Sequence, residues 1–211
     1  MEGKLRRRDF LGLVAGGGLA CLAGPGLTAF GARRSGTKLV SPGCRTSKVK
    51  VARIFMGTDH GLWPRPDLDL KKEVQRYKSK FAEFSDELSD VDFPVDALVK
   101  SPKELEPLKS RLQDVDGILA IHLNIGVRGI VRELLAVGKP TTVFAVPYSG
   151  HEWVGFGRLQ DQELGSNLAC KLTSDYSQLA AAIRPFRAIH HLREAKILDL
   201  TTRFRNGYAD Q

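Results

Sequence analysis

The stretch GILAIHLNIGVRGIVRELLAVGKPTTVFAV, residues 117–146, decides the fold. Its first seven residues, Gly117 to Leu123, form an apolar run broken only by His122. A half-exposed strand would alternate; a run of this kind marks a strand covered on both faces. Gly126 to Val137 then reads as a helix, stopped by Gly138 and Pro140. Thr141 to Val146 is a second apolar run. Strand, helix and strand at this spacing make a βαβ unit, with parallel strands and a right-handed crossover.

The same alternation extends in both directions. Val49 to Met56 reads as the first strand. Leu70, Val74, Tyr77, Phe81, Phe84 and Leu88 recur every three or four residues, which predicts a helix between Leu68 and Leu88. Phe93 to Val99 is the next strand. Ser101 and Pro102 with Glu104 predict a capped helix running to Gln113. Beyond Val146 come a loop and short helix over residues 148–164 and a weaker strand from Leu168 to Thr173. A helix follows from Ser177 to Arg193, which Pro185 should kink or divide, and then a sixth strand from Lys196 to Thr201. The expected class is α/β: a Rossmann-like or flavodoxin-like three-layer sandwich over residues 49–201, with a mainly parallel sheet of five to six strands. Residues 202–211 are a tail or the start of a further domain.

Charge separates the chain into two parts. The 211 residues carry a net charge of +8. Residues 1–48 hold +7 of it and residues 49–211 only +1. The folded part is nearly neutral, which argues against a nucleic-acid face. Three cysteines exclude a disulfide scaffold and a four-cysteine zinc site.

The basic part reads as a leader. Lys4, Arg6, Arg7 and Arg8 precede a weakly apolar, glycine-rich stretch from Phe10 to Phe30, with small residues at Ala29 and Gly31. That is the plan of an export signal over residues 1–31. Arg7 and Arg8, followed by Asp9, Phe10 and Leu11, resemble the bacterial twin-arginine pattern. The resemblance implies the twin-arginine translocase as a partner during export and a periplasmic location. An uncleaved leader would instead be a membrane anchor. Residues 32–48 read as a flexible linker.

In open parallel sheets, ligands bind beyond the carboxyl ends of the strands. The segments after the first, third and fourth strands bring Asp59 and His60, His122 and Asn124, and His151, Glu152 and Trp153 to one rim. Imidazoles and carboxylates share protons with hydroxyls, and an indole stacks on a sugar face, so a polyol site is expected there. Each residue also has a plain role: Asp59 and His60 in a turn, His122 in the core, His151 and Glu152 as helix caps, Trp153 in packing. His190 and His191 read as a solvated helix face. The rim lacks the Gly-x-Gly-x-x-Gly fingerprint, a Walker lysine loop, a Gly-x-Ser-x-Gly elbow and a zincin pair.

Asp116 to His122, Gly138-Lys139-Pro140 and Val146 to Trp153 resemble the N-terminal part of the L-fucose/L-arabinose isomerase family. The likeness continues through Trp153 to Asn167, Lys171 to Asp175 and Ala195 to Leu198. It implies an α/β domain that offers strand-end loops to a sugar, within a metal-dependent aldose-ketose isomerase. The family's divalent metal, of the manganese class, and its proton-transferring carboxylates come from later domains. The chain ends before them, so the resemblance implies no cofactor held here, no assignable catalytic residue, and a catalytic-domain partner or homo-oligomer. A stand-alone periplasmic carbohydrate-binding module without catalysis is the alternative, and an inactive remnant a third reading.

Overall fold

The computed structural model describes residues 47–60, 63–150 and 152–195. Its strands are β1 (Val49–Met56), β2 (Val91–Val99), β3 (Gly117–His122), β4 (Thr141–Ala145) and β5 (Leu168–Leu172). The helices between them are α1 (Leu70–Ala82), α2 (Lys109–Gln113), α3 (Arg128–Ala136) and α4 (Trp153–Gln160), and α5 (Gln178–Glu194) follows β5. Every pairing is parallel, and the order is β2-β1-β3-β4-β5. That is the flavodoxin-like order, with its switch point between β1 and β3.

The continuous apolar runs are explained by two cores, one on each face of the sheet. Ala52, Ile54 and Met56 of β1, with Ile118 and Ala120 of β3, pack against Ile130 and Leu134 of α3 and Phe156 of α4. The residues between them, Val51, Phe55, Leu119 and Ile121, face the other way, onto Tyr77 and Phe81 of α1 and Ile183 and Phe186 of α5. Each of the Val, Leu, Ile, Met and Phe side chains among them stabilises the fold by roughly 1.5–3 kcal/mol when fully buried. Gly117 lets α5 approach β3 closely, because a Cβ there would overlap the Phe186 ring. Arg53 also lies on the α1 face. Its guanidinium is 4.8 Å from the Phe81 ring and 4.5 Å from the Phe93 ring. Two hydrogen bonds to Asp96, 3.0 and 2.9 Å, balance the buried charge.

Several expectations need correction. The strand β2 begins at Val91, two residues early, and tolerates Pro94 because it is an edge strand. α1 ends at Ala82. The segment after Ser101 is a 3₁₀ helix, Pro102–Leu108, before α2. Pro107 inside it has no N–H to give to an α-helical ladder. The Ser101 side chain makes no cap; Glu104 accepts from the Lys100 N–H instead, at 2.9 Å. α5 continues through Pro185 undivided. The leader with Arg7, Arg8, Phe10 and Leu11, the linker up to residue 46, the sixth strand and the tail lie outside the described residues. Among the described residues no helix is long and apolar enough to cross a membrane.

Candidate functional site

At the switch point, the chain leaves β1 through Thr58 and leaves β3 through Asn124. Asn124 is buried and grips the Thr58 backbone at both ends. Its Oδ1 accepts from Thr58 N at 2.8 Å, and its Nδ2 donates to Thr58 O at 2.9 Å. Thr58 Oγ1 donates to Ile125 O at 3.1 Å. Gly126, at φ 105°, makes the turn that allows this approach. These bonds close the crevice between the two strand ends, so Asn124 positions loops.

His122, the last residue of β3, is fully buried. Its Nδ1 lies 2.9 Å from Ser149 Oγ and its Nε2 lies 3.0 Å from Glu152 Oε2. The same Glu152 oxygen accepts from Val127 N at 3.2 Å, at the start of α3. Burial works to raise the Glu152 pKa. The His122 imidazole and the Val127 and Gly126 N–H groups outweigh it and hold the carboxyl below its ordinary value. Ser149, histidine and glutamate resemble a hydrolytic triad in composition. The serine, however, is fully buried, and its hydroxyl donates to Val146 O at 2.9 Å. The group braces β3, the loop after β4 and the N-terminus of α3 against one another.

The other rim residues are placed apart from this brace. Asp59 is exposed and pairs with Lys100 at the end of β2, at 2.6 Å. His60 is exposed. His151 lies outside the described residues, and Trp153 is the first residue of α4. The structure therefore joins His122 to Glu152, Asn124 to Thr58 and Asp59 to Lys100 as three separate arrangements. The metal expected of a sugar isomerase does not fit the described part of this rim. Glu152 is committed to His122 and Val127, and Asp59 to a lysine.

An open cleft lies beside the brace, at the carboxyl ends of β4 and β5. It has a volume of about 700 Å³, and Arg65, Arg76, Tyr148, Ser174 and Tyr176 line it together with Val146 and Pro147. Tyr148 holds a φ of 68°, strained for a bulky residue, with its ring largely in solvent. The Val146–Ser149 turn, held by Ser149 N to Val146 O at 3.2 Å, fixes that posture. The Arg76 guanidinium stacks 5.2 Å from the Tyr176 ring centroid. Arg65 and Arg76 share the buried Glu73, at 3.2 and 3.4 Å, so two cations face the cleft against one carboxylate. Behind Tyr176, at 5.6 Å between rings, Tyr77 is buried with no hydrogen-bond partner for its hydroxyl among the described residues. Burial pushes its pKa far up, so it remains a neutral donor. Arg65, Arg76, Ser174 and Tyr176 escape a reading of the first, third and fourth strand ends. Ser174 and Tyr176 follow β5, so the same strand-end rule applied there finds them. The two arginines come from the loop before α1 and the polar face of α1.

Comparison with protein-family models, with curated proteins and with solved structures gives no match to this chain.

Proposed function

We propose that the chain is an exported carbohydrate-binding α/β domain of the sugar-isomerase-like kind, with its ligand in the cleft at the ends of β4 and β5. One observation carries this reading: a cleft of about 700 Å³ that pairs two tyrosine rings with two guanidinium groups and a serine hydroxyl. The volume suits a mono- or disaccharide. Ring faces cover the apolar C–H face of a sugar, and the arginines and Ser174 offer fixed hydrogen bonds to its hydroxyls. The described residues bind and orient. Isomerisation belongs to a catalytic domain outside the described residues, which meets the sugar at this rim. The leader delivers the domain to the periplasm through the twin-arginine translocase.

Titration calorimetry of the full chain against a panel of aldoses and ketoses tests the binding. Saturable heat is expected for at least one sugar. Tyr148→Ala and Arg76→Ala should each weaken it by about tenfold or more, the usual loss for an aromatic or arginine anchor. Flat heats across the panel, or full affinity in both variants, overturn the reading.

A further inference from the structure

The amino-terminal end of the sheet, opposite the cleft, carries a second constellation. Asp90 stands just before β2 and Asp116 just before β3, where α5 ends with His190, His191 and Glu194. His190 and Glu194 are four residues apart and His191 and Glu194 three, so both imidazoles reach the same carboxylate. His190 Nε2 is 3.4 Å from Glu194 Oε1, and His191 Nδ1 is 3.8 Å from Glu194 Oε2. One ligating atom from each of the three residues lies within 4.8 Å of the others.

The outward nitrogens of the two rings are held as well. His190 Nδ1 meets Asp116 Oδ2 at 2.9 Å, and His191 Nε2 meets Asp90 Oδ2 at 3.4 Å. Asp90 is itself gripped by Arg187, at 3.1 and 2.9 Å. A carboxylate on the far nitrogen of each imidazole is what fixes the tautomer and aim of a metal-binding histidine. His191 Nδ1 is buried and has no hydrogen-bond partner among the described residues, although its neighbours are polar. Ser47 Oγ lies 3.1 Å from His190 Nε2 and also donates to Glu194, which puts a further oxygen donor at the mouth. With neutral rings, Asp90, Asp116 and Glu194 against Arg187 leave two formal negative charges, which a divalent cation would balance.

We propose that His190, His191 and Glu194 bind a divalent transition-metal ion of the zinc class, with Asp116 and Asp90 as positioning residues. Two imidazole nitrogens and one carboxylate suit Zn²⁺ or Co²⁺ and leave room for a fourth donor. The ion ties the last turn of α5 to the starts of β2 and β3. It is distinct from the metal of a sugar isomerase, and sugar binding in the cleft does not depend on it.

The test uses the full chain, stripped with chelator and then titrated with Co²⁺ alone. A visible absorption band that saturates near one equivalent, is abolished by Zn²⁺, and accompanies a Zn²⁺-dependent rise in Tm is the expected result. His190→Ala/His191→Ala should lose the band. Asp116→Asn, which keeps all three ligands, should weaken Co²⁺ binding about 10- to 100-fold, the usual loss for a removed outer partner. Far-UV circular dichroism of each variant without metal shows that it is folded; if the double variant is not, Asp116→Asn and Glu194→Gln decide. Absence of a band and of a Tm shift in the parent protein overturns the proposal. So does undiminished Co²⁺ binding in the folded variants.

Discussion

Replacing Glu152 by alanine should destabilise the domain sharply, because this one side chain serves two buried partners. It accepts from His122 at 3.0 Å and from Val127 N at 3.2 Å, and it is almost wholly covered. Hydrogen bonds to a charged group contribute about 1.5–3 kcal/mol each, and their losses overlap when one residue makes both, so a loss of about 3 kcal/mol is expected. For a chain of this size that corresponds to a fall of roughly 6–12 °C in Tm. Urea unfolding followed by fluorescence of the two tryptophans measures it. Glu152→Gln keeps the shape and removes the charge, and should cost about half as much. The acid limb gives a second check. The folded-state pKa of Glu152 lies below the ordinary value of 4.5, so its contribution is fully present above that value. It is lost as the pH falls through the lowered folded-state value. The gap between the parent protein and Glu152→Gln should therefore close on acidification. A loss under about 0.5 kcal/mol for Glu152→Ala would be within the range of an ordinary surface change and would refute the buried brace.

Two further outcomes follow from other parts of the chain. Gly117→Ala should cost about 1–3 kcal/mol in urea unfolding, because the new methyl group meets the body of the Phe186 ring with no free end to swing aside; an unchanged midpoint would show that α5 packs more loosely. Replacing both Arg7 and Arg8 by lysine should keep the chain in the cytoplasm of a bacterial host, read by fractionation, and continued export would remove the twin-arginine reading.

Local pattern and long-range pairing were unequally legible. The runs of β1, β3 and β4 announce strands covered on two faces, and both faces are covered. The edge strand β5 is weaker for a physical reason: most of its residues are exposed or half-exposed. His190 and His191 read as solvated because the helix pattern around them is mixed. In the structure they are mostly covered, and their partners Asp90 and Asp116 come from more than seventy residues earlier. No spacing within α5 announces that. The same holds at the rim. The strand-end rule brought His122 and Glu152 to one place, but which of them faces inward depends on the turn that carries Ser149. The cleft beside them draws Arg76 from a helix face whose polar residues look like ordinary solvent contacts.

The placement of α5 bears on how the chain is made. This last described helix packs across β1, β3 and β4, the middle of the sheet. During synthesis those strands emerge long before it. Until Gln178–Glu194 has left the ribosome, the apolar side formed by Phe55, Leu119, Ile121 and Phe144 lacks one of its two covering helices. A nascent chain with half of one core open is prone to association, and holding chaperones act on such surfaces. The core on this face closes late. That timing is what the proposed twin-arginine export requires, since that route takes a finished cargo.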